Sequence, residues 1–312
     1  MHAILQELIY ESLREGAVWP FDRHYIRPLH FHGQLELLIV RSGTATLRLG
    51  TRARRLHAGH LAWILPGVPH VMAEFSDDFD MWVVELEPAL VASCWRAIDA
   101  GAADDAGVFS GWPLALGERL AGRDAIDVAG DELLQLAKLA ARVWAAATPG
   151  EARPALRALG ERALRVTLDA LDPNRDASVA ELASCLLLAS PTVDRPGVAA
   201  ELGVSEGFLS RKFQHELGVT FVEQRARARV AHFLALAGEA RNLLASALDA
   251  GFGSYSQFHR IFTRVSGSRP RDYLGEGRRR SQLLVTGGGA QPSLTTTCAL
   301  PDVARQRARL DA

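Results

Sequence analysis

The chain has 312 residues, 48% hydrophobic and 23% charged, with a formal net charge of −1. This ordinary globular composition excludes a fibre or a repeat array. Cys94, Cys185 and Cys298 are scattered and lack CxxC spacing, which excludes a disulfide framework and a thiolate zinc site.

The N-terminal stretch carries charges through its apolar run, and the longest nearly apolar segment, 182–190, is far short of a membrane span. A cytoplasmic protein with no membrane partner is therefore expected. The near-zero net charge hides an asymmetry. Residues 1–110 carry 9 Arg against 14 Asp and Glu, whereas 191–280 carry 14 Lys and Arg against 9 Asp and Glu. A basic half points to an anionic partner, although an ordinary solvated surface would give the same count.

Taken in chain order, residues 22–88 hold short apolar runs broken by Gly and Pro, such as "LELLIVRSG" and "HLAWILPGVPH". Runs of this length read as a small all-β barrel or sandwich. From 113 to 171 the chain turns rich in Ala and Leu and predicts two or three helices, with 131–147 and 156–171 the clearest. These helices have enough Ala and Leu to pack against a twin or against their own barrel. Turn residues at 172–178 mark a linker, and everything beyond reads helical up to 274. Gly-rich 275–312 reads as a disordered tail. Its Arg278 to Arg280 would add at most nonspecific affinity.

The helical half contains an internal repeat. Ala199 and Gly203 are spaced as Ala247 and Gly251 are; Leu209, Arg211 and Phe213 recur as Phe258, Arg260 and Phe262; Gly218 and Gly267 close the two copies. A small residue, a turn glycine and then a helix with an outward Arg are what a helix-turn-helix requires. The first unit is expected at about 195–216 and the second at about 243–265. Between them, 220–238 reads as one linker helix with Thr220 as its cap and Gly238 as its stop. At 1.5 Å per residue it would span roughly 25 Å, the scale needed to hold two recognition helices in consecutive major grooves.

Helical geometry assigns the outward residues. With Leu209, Phe213 and Leu217 buried, the first recognition helix presents Gly207, Ser210, Arg211 and Gln214. With Phe258, Ile261, Phe262 and Val265 buried, the second presents Ser256, His259, Arg260 and Thr263, with Tyr255 at its start. Arg grips guanine O6 and N7 in a bidentate way, so Arg211 and Arg260 are the expected base readers, a phosphate contact being the alternative for each. Arg225, Arg227, Arg229, Arg269 and Arg271 are expected to touch phosphate or to form structural ion pairs.

The segments "RARVAHFL", "ALDAGFGSYSQFHRIF" and "GSRPRDYL" resemble the DNA-binding domain of the AraC/XylS family of bacterial transcription regulators, over 178–274. The first half also carries a resemblance. "HFHGQLELLIVRSG" (30–43) and "GHLAWILPGVPH" (59–70) resemble the two motifs of the cupin barrel, the sensor half of many such regulators. The resemblance implies an all-β cupin-like barrel over 1–112 and an all-α domain with two helix-turn-helix motifs over 178–274; the helices between, 113–177, read as a connector that pairs with a second copy or packs on its own barrel.

Through the cupin resemblance, His30, His32, Glu36 and His70 stand where cupin enzymes hold a divalent metal. In a regulator the same residues would contact an effector, bind a metal, or serve structure alone; no cofactor is required. Trp63 and Trp82 lie close enough in sequence to line an amphipathic pocket, without showing which faces inward. The resemblance implies a sequence-specific DNA-binding regulator responding to a small-molecule effector. Its partners would be double-stranded DNA, a second copy of the chain and, as a further candidate, RNA polymerase, and its place the bacterial nucleoid. A cupin metalloenzyme with an accessory helical domain, and a DNA-binding protein with an inert barrel, are the competing readings.

Overall fold

The computed structural model describes residues 4–5, 15–21, 29–99, 112–123, 125–171, 178–237 and 242–274. Gly238 and the tail 275–312, with Cys298 and Arg278 to Arg280, lie outside these residues, as does most of the 172–178 linker. In chain order the described strands are β1 (Ile4–Leu5), β2 (Gly16–Pro20), β3 (His30–Phe31), β4 (Leu35–Ser42), β5 (Thr44–Leu49), β6 (Arg52–His57), β7 (His60–Ile64), β8 (His70–Ala73), β9 (Asp80–Leu86) and β10 (Ala125–Asp127). They form two five-stranded sheets, ordered β1-β3-β8-β5-β6 and β10-β7-β4-β9-β2.

The central strand β4 is buried along Leu35–Val40, on both of its faces. Its register explains why. Side chains alternate across a strand, so Glu36, which pairs with Ile64 and Glu85, lies on one face, while Leu37, paired with Trp63 and Val84, lies on the other. The second face is covered by helices α3 (Gly130–Ala145) and α4 (Pro149–Ala170), while α1 (Pro88–Ile98) packs on α4 and α2 (Leu114–Leu120) on the helix Val179–Ala189. The Trp63 indole N–H reaches out to donate to Thr167 Oγ1 on α4, 2.8 Å away. Trp82 pairs with Ile39, two residues along from Leu37, so it shares that face. Both tryptophans therefore belong to the sheet–helix layer, and the pocket-lining reading of this pair is corrected.

Two further features depart from the sequence reading. The strands begin before residue 22, at β1 and β2, and the barrel recruits β10 from within the Ala/Leu-rich stretch. There Ala125–Asp127 pairs antiparallel with His60–Ala62 of β7. Three residues are too few to show an alternation against the surrounding helical pattern.

The remaining helices are α5 (Val179–Ala189), α6 (Arg195–Glu201), α7 (Glu206–Lys212), α8 (Phe221–Ala237), α9 (Leu243–Asp249) and α10 (Tyr255–Ser266). The repeat seen in sequence is a structural repeat. In each unit a glycine turns the chain at positive φ, Gly203 at 64° and Gly251 at 82°, a conformation that a Cβ would strain. A serine then caps the next helix: Ser205 Oγ accepts from Phe208 N and Ser254 Oγ from Gln257 N. The linker helix α8 opens on a reciprocal box, in which Thr220 N–H donates to Glu223 Oε2 and Glu223 N–H donates to Thr220 Oγ1. Unlike its twin, the first recognition helix passes after Lys212 into a π-helical turn, Phe213–Leu217. Among the described residues no helix is long and apolar enough to cross a membrane.

The two halves of the chain are in contact. Thr51, in the β5–β6 turn, donates from its backbone N–H to the Glu216 carbonyl and from its hydroxyl to the His215 carbonyl. Arg52 pairs with Glu181 of α5. Gln224 of α8 donates to the Gly67 carbonyl across 3.1 Å.

Candidate sensor site and DNA-binding face

The four barrel residues singled out in the sequence are buried together, each at 4% exposure or less. Backbone pairing places them: His30 faces His70 across β3–β8, and Glu36 lies on the interior face of β4. The imidazole centroids of His30 and His70 are 4.2 Å apart, and those of His32 and His70 are 4.9 Å apart. One ligand atom from each of the four residues lies within 4.8 Å of every other.

The hydrogen bonds fix which nitrogens are available. His32 Nδ1 sits 3.2 Å from the Gln34 carbonyl and His70 Nδ1 2.9 Å from the Val68 carbonyl. A carbonyl only accepts, so each Nδ1 carries its proton, and in a neutral ring Nε2 then presents a lone pair. Both Nε2 atoms aim at Glu36 Oε2, at 2.9 Å from His32 and 3.7 Å from His70. Two lone pairs directed at a carboxylate require a cation among them, either a proton or a metal ion. Metal-binding histidines characteristically hold their second nitrogen on a carbonyl in this way. The donor set thus fits a divalent transition-metal ion, held by His30, His32, Glu36 and His70.

Burial on its own would raise the Glu36 carboxyl, but His70 and His32 hold it well below the ordinary carboxylate range. The sequence reading missed its neighbour Glu85. This residue is fully buried, stands opposite Glu36 in the β4–β9 register, and lies 4.0 Å from His32 Nε2. Burial, and then the charge of Glu87, push Glu85 well above the usual value. The only sequence signal for it was its interior position in the alternation of "MWVVELEP".

A second group of possible ligands, His57, His60 and Asp127, spans β6, β7 and β10. Here the tautomer opposes a metal. The His57 backbone N–H donates to His60 Nδ1, which leaves the His60 proton on Nε2, 3.2 Å from Asp127 Oδ1. That arrangement is a hydrogen bond tying β10 to β7.

In the helical half, Gly207, Arg211 and Gln214 are exposed and Ser210 is half-buried on the first recognition helix. On the second, Ser256 and Arg260 are exposed, while Tyr255, His259 and Thr263 are half-buried. The Thr263 hydroxyl is out of solvent and lacks a hydrogen-bond partner. Phe208 was not anticipated: its ring is exposed beside Arg211 and lies 5.4 Å from Lys212 Nζ.

Three of the linker arginines take structural contacts within the chain. Arg225 and Arg229 donate to the carbonyls of Thr192 and Pro191, and Arg227 is buried over the Phe31 ring at 4.4 Å. They brace the fold through carbonyls and a ring, and Glu223 lies close enough to favour the charge of Arg227. Desolvation lowers Arg227 to about 10, which still leaves it charged at neutral pH. Arg269 and Arg271 are exposed.

Comparison with known proteins agrees with both halves. The model of the AraC-like ligand binding domain matches residues 14–114, and that of a helix-turn-helix domain matches 198–276, together more than half of the chain. No curated protein matches. Among solved structures, ToxT from Vibrio cholerae is similar at 14% identity over 84% of this chain and 97% of its own, with a TM-score of 0.43. The AraC-like transcriptional activator CuxR is similar at 17% identity over 71% of this chain and 73% of its own, at 0.32. A Bacillus subtilis oxalate decarboxylase matches 24% of this chain and 19% of its own at 20% identity, at 0.18. At such scores the solved structures add nothing to the assignment, which rests on the two family models and on the residues that carry them. The chain belongs to the AraC-type transcriptional regulators, with an N-terminal ligand-binding domain for a small-molecule effector and a C-terminal helix-turn-helix domain for DNA.

Proposed function

We propose that the protein reads DNA with the outward residues of its two recognition helices and senses its effector at His30, His32, Glu36 and His70. Arg211 and Arg260 read bases. Gly207, Ser210, Gln214, Tyr255, Ser256 and His259 complete the face with adaptable or backbone contacts, and the Thr263 methyl lies at its edge. The observation that carries the reading is the convergence of two carbonyl-tethered histidines on one buried carboxylate, in the domain that a regulator of this type uses for sensing.

A divalent transition-metal ion is the effector that this donor set fits. When bound it would supply the positive charge between the lone pairs and Glu36. No turnover is assigned to the site.

The active species is a homodimer. Its support is an apolar stripe on α3, where Leu134 and Trp144 are exposed at 52% and 40% and Ala137 and Ala141 lie between them on the same face. The intervals 1–112, 113–177 and 178–274 serve sensing, dimerisation and DNA binding respectively, and RNA polymerase is the further partner of the DNA-bound dimer.

The experiment is selection of binding sites from random DNA, followed by affinity measurement with and without Zn2+. A defined two-half-site motif with an affinity that responds to zinc is expected. Binding without sequence preference would remove the DNA-reading assignment, and a motif with no zinc response and no bound zinc would remove the metal assignment.

A further inference from the structure

One buried residue of the barrel is set into the core of the second helix-turn-helix. Phe31 is 1% exposed and belongs to the same hydrophobic cluster as Val230 and Phe233 of α8, Ala247 of α9, Ala250, Phe252, and Phe258 and Phe262 of α10. Every other buried member of that cluster comes from the DNA-binding half. Phe31 stands between His30 and His32, two members of the sensor site, and alternation along an extended strand sends it to the opposite side.

The same short segment touches the linker helix at other points. The Arg227 guanidinium caps the Phe31 ring, and a Cβ added at Gly33 would meet that of Ala231 at 3.4 Å. The Gly67 backbone, which donates to the His32 carbonyl across 2.7 Å, accepts from Gln224 of α8. His70 is tied to the adjoining Val68.

We infer that β3 is a two-faced transmission strand: His30 and His32 sense occupancy of the barrel site, and Phe31 passes it to the linker helix and the second helix-turn-helix. This rests on reading His30, His32, Glu36 and His70 as the sensor site. An occupant that draws the two histidines together fixes residues 30–32 and, with them, the seat of Phe31. Released histidines leave that seat loose. The intact cluster holds the second recognition helix in register with the first, and an occupant of the site tightens that hold. Any occupant that favours the fixed arrangement shifts DNA affinity by its preference for that arrangement, and couplings of this kind commonly amount to about 5- to 150-fold.

The test uses the full-length chain and reads amide hydrogen exchange in α8 and α10, with β5 and β6 as internal reference. Zinc binding is measured separately by calorimetry. His70→Ala should accelerate exchange in α8 and α10 by about tenfold over the reference strands, a change within the usual range of coupling. In Phe31→Leu and in Arg227→Met, two mild changes that keep an apolar core, the same His70→Ala step should move exchange less than about twofold. Zinc should tighten DNA binding of the wild type, whereas Phe31→Leu should bind zinc equally well and respond little on DNA.

An unchanged exchange rate in α8 and α10 on His70→Ala would overturn the transmission. So would an equal change in the Phe31→Leu background. If calorimetry finds no zinc while the exchange effect stands, the transmission is upheld and the metal reading alone fails.

Discussion

Arg227 lies over the ring of Phe31 with its guanidinium carbon 4.4 Å from the centroid, a contact that joins the linker helix to a strand almost two hundred residues earlier. A desolvated guanidinium on an aromatic face is favourable, and here the ring also fills a core belonging to the other domain. The segment 178–274 prepared alone should therefore be less stable than the same segment in the full chain. The loss of Phe31 should cost about 2 kcal/mol, the scale for burying one large apolar side chain. Urea unfolding followed at α10 measures the difference, and equal midpoints would show that Phe31 contributes nothing to that core.

Arg211 and Arg260, the exposed arginines assigned as base readers, carry the DNA prediction. Arg260→Ala and Arg211→Ala should each cost about 1–3 kcal/mol of specific binding and relax discrimination at one base position. Affinities for the selected site and for random DNA, compared at one salt concentration, decide it. Weakening by the same factor on both would make the residue a phosphate clamp.

Much of this was legible in the residues, for local reasons. Ser205 and Ser254 cap helices after matched glycine turns, so spacing alone revealed both helix-turn-helix units. The polar residues of "HFHGQLE" announced a cluster because such groups are costly to bury unpaired. The hidden features are those set by contacts between distant segments. Nothing near Thr51 signals that it bonds the carbonyls of His215 and Glu216, and nothing near Arg225 or Arg229 signals that the loop at Pro191 takes their donors. Trp63 could not be oriented until its register with Leu37 put it on the helix side.

The turn glycines give a paired stability prediction. Gly203 and Gly251 occupy equivalent turns at positive φ, but a Cβ at Gly203 would meet nothing within 4 Å, whereas at Gly251 it would fall 2.9 Å from Thr192 Cγ2. Gly203→Ala should cost about 1 kcal/mol for the left-handed backbone alone. Gly251→Ala should cost more, by about 1 kcal/mol or above, because the neighbour must also move. Thermal unfolding of the two variants ranks them, and a larger loss at Gly203 would contradict the geometry.

Removing a member of the barrel cluster should weaken the metal. Glu36→Gln and His70→Ala should lower zinc affinity by at least about tenfold, the smaller end of what lost support of a metal ligand costs. His60→Ala should leave it unchanged, because that ring has its Nδ1 committed to the His57 N–H. Calorimetric titration of the three proteins reads the contrast directly. Loss of zinc binding in His60→Ala, with retention in His70→Ala, would place the ion at the wrong cluster.

Glu216 gives the acid prediction. Its carboxylate takes the Lys212 ammonium at 2.8 Å, the Ser178 hydroxyl at 2.6 Å and the Ala180 N–H at 3.3 Å, so it ties the π-helical turn to the start of α5. Burial raises this carboxyl, yet those three partners together bring it below the ordinary value of 4.5. A carboxyl depressed in the folded state stabilises at every pH above its unfolded value, and the contribution disappears as pH falls through the folded one. Glu216→Gln should thus cost about 1 kcal/mol at neutral pH, the usual net worth of a lost hydrogen-bond network member. The wild type and the variant should then converge in stability as the pH is lowered past the carboxylate range. Urea unfolding across that range measures the gap. If the gap stayed constant down to strongly acid pH, its source would lie in packing around Phe213 and Leu217, with the charge of Glu216 playing no part.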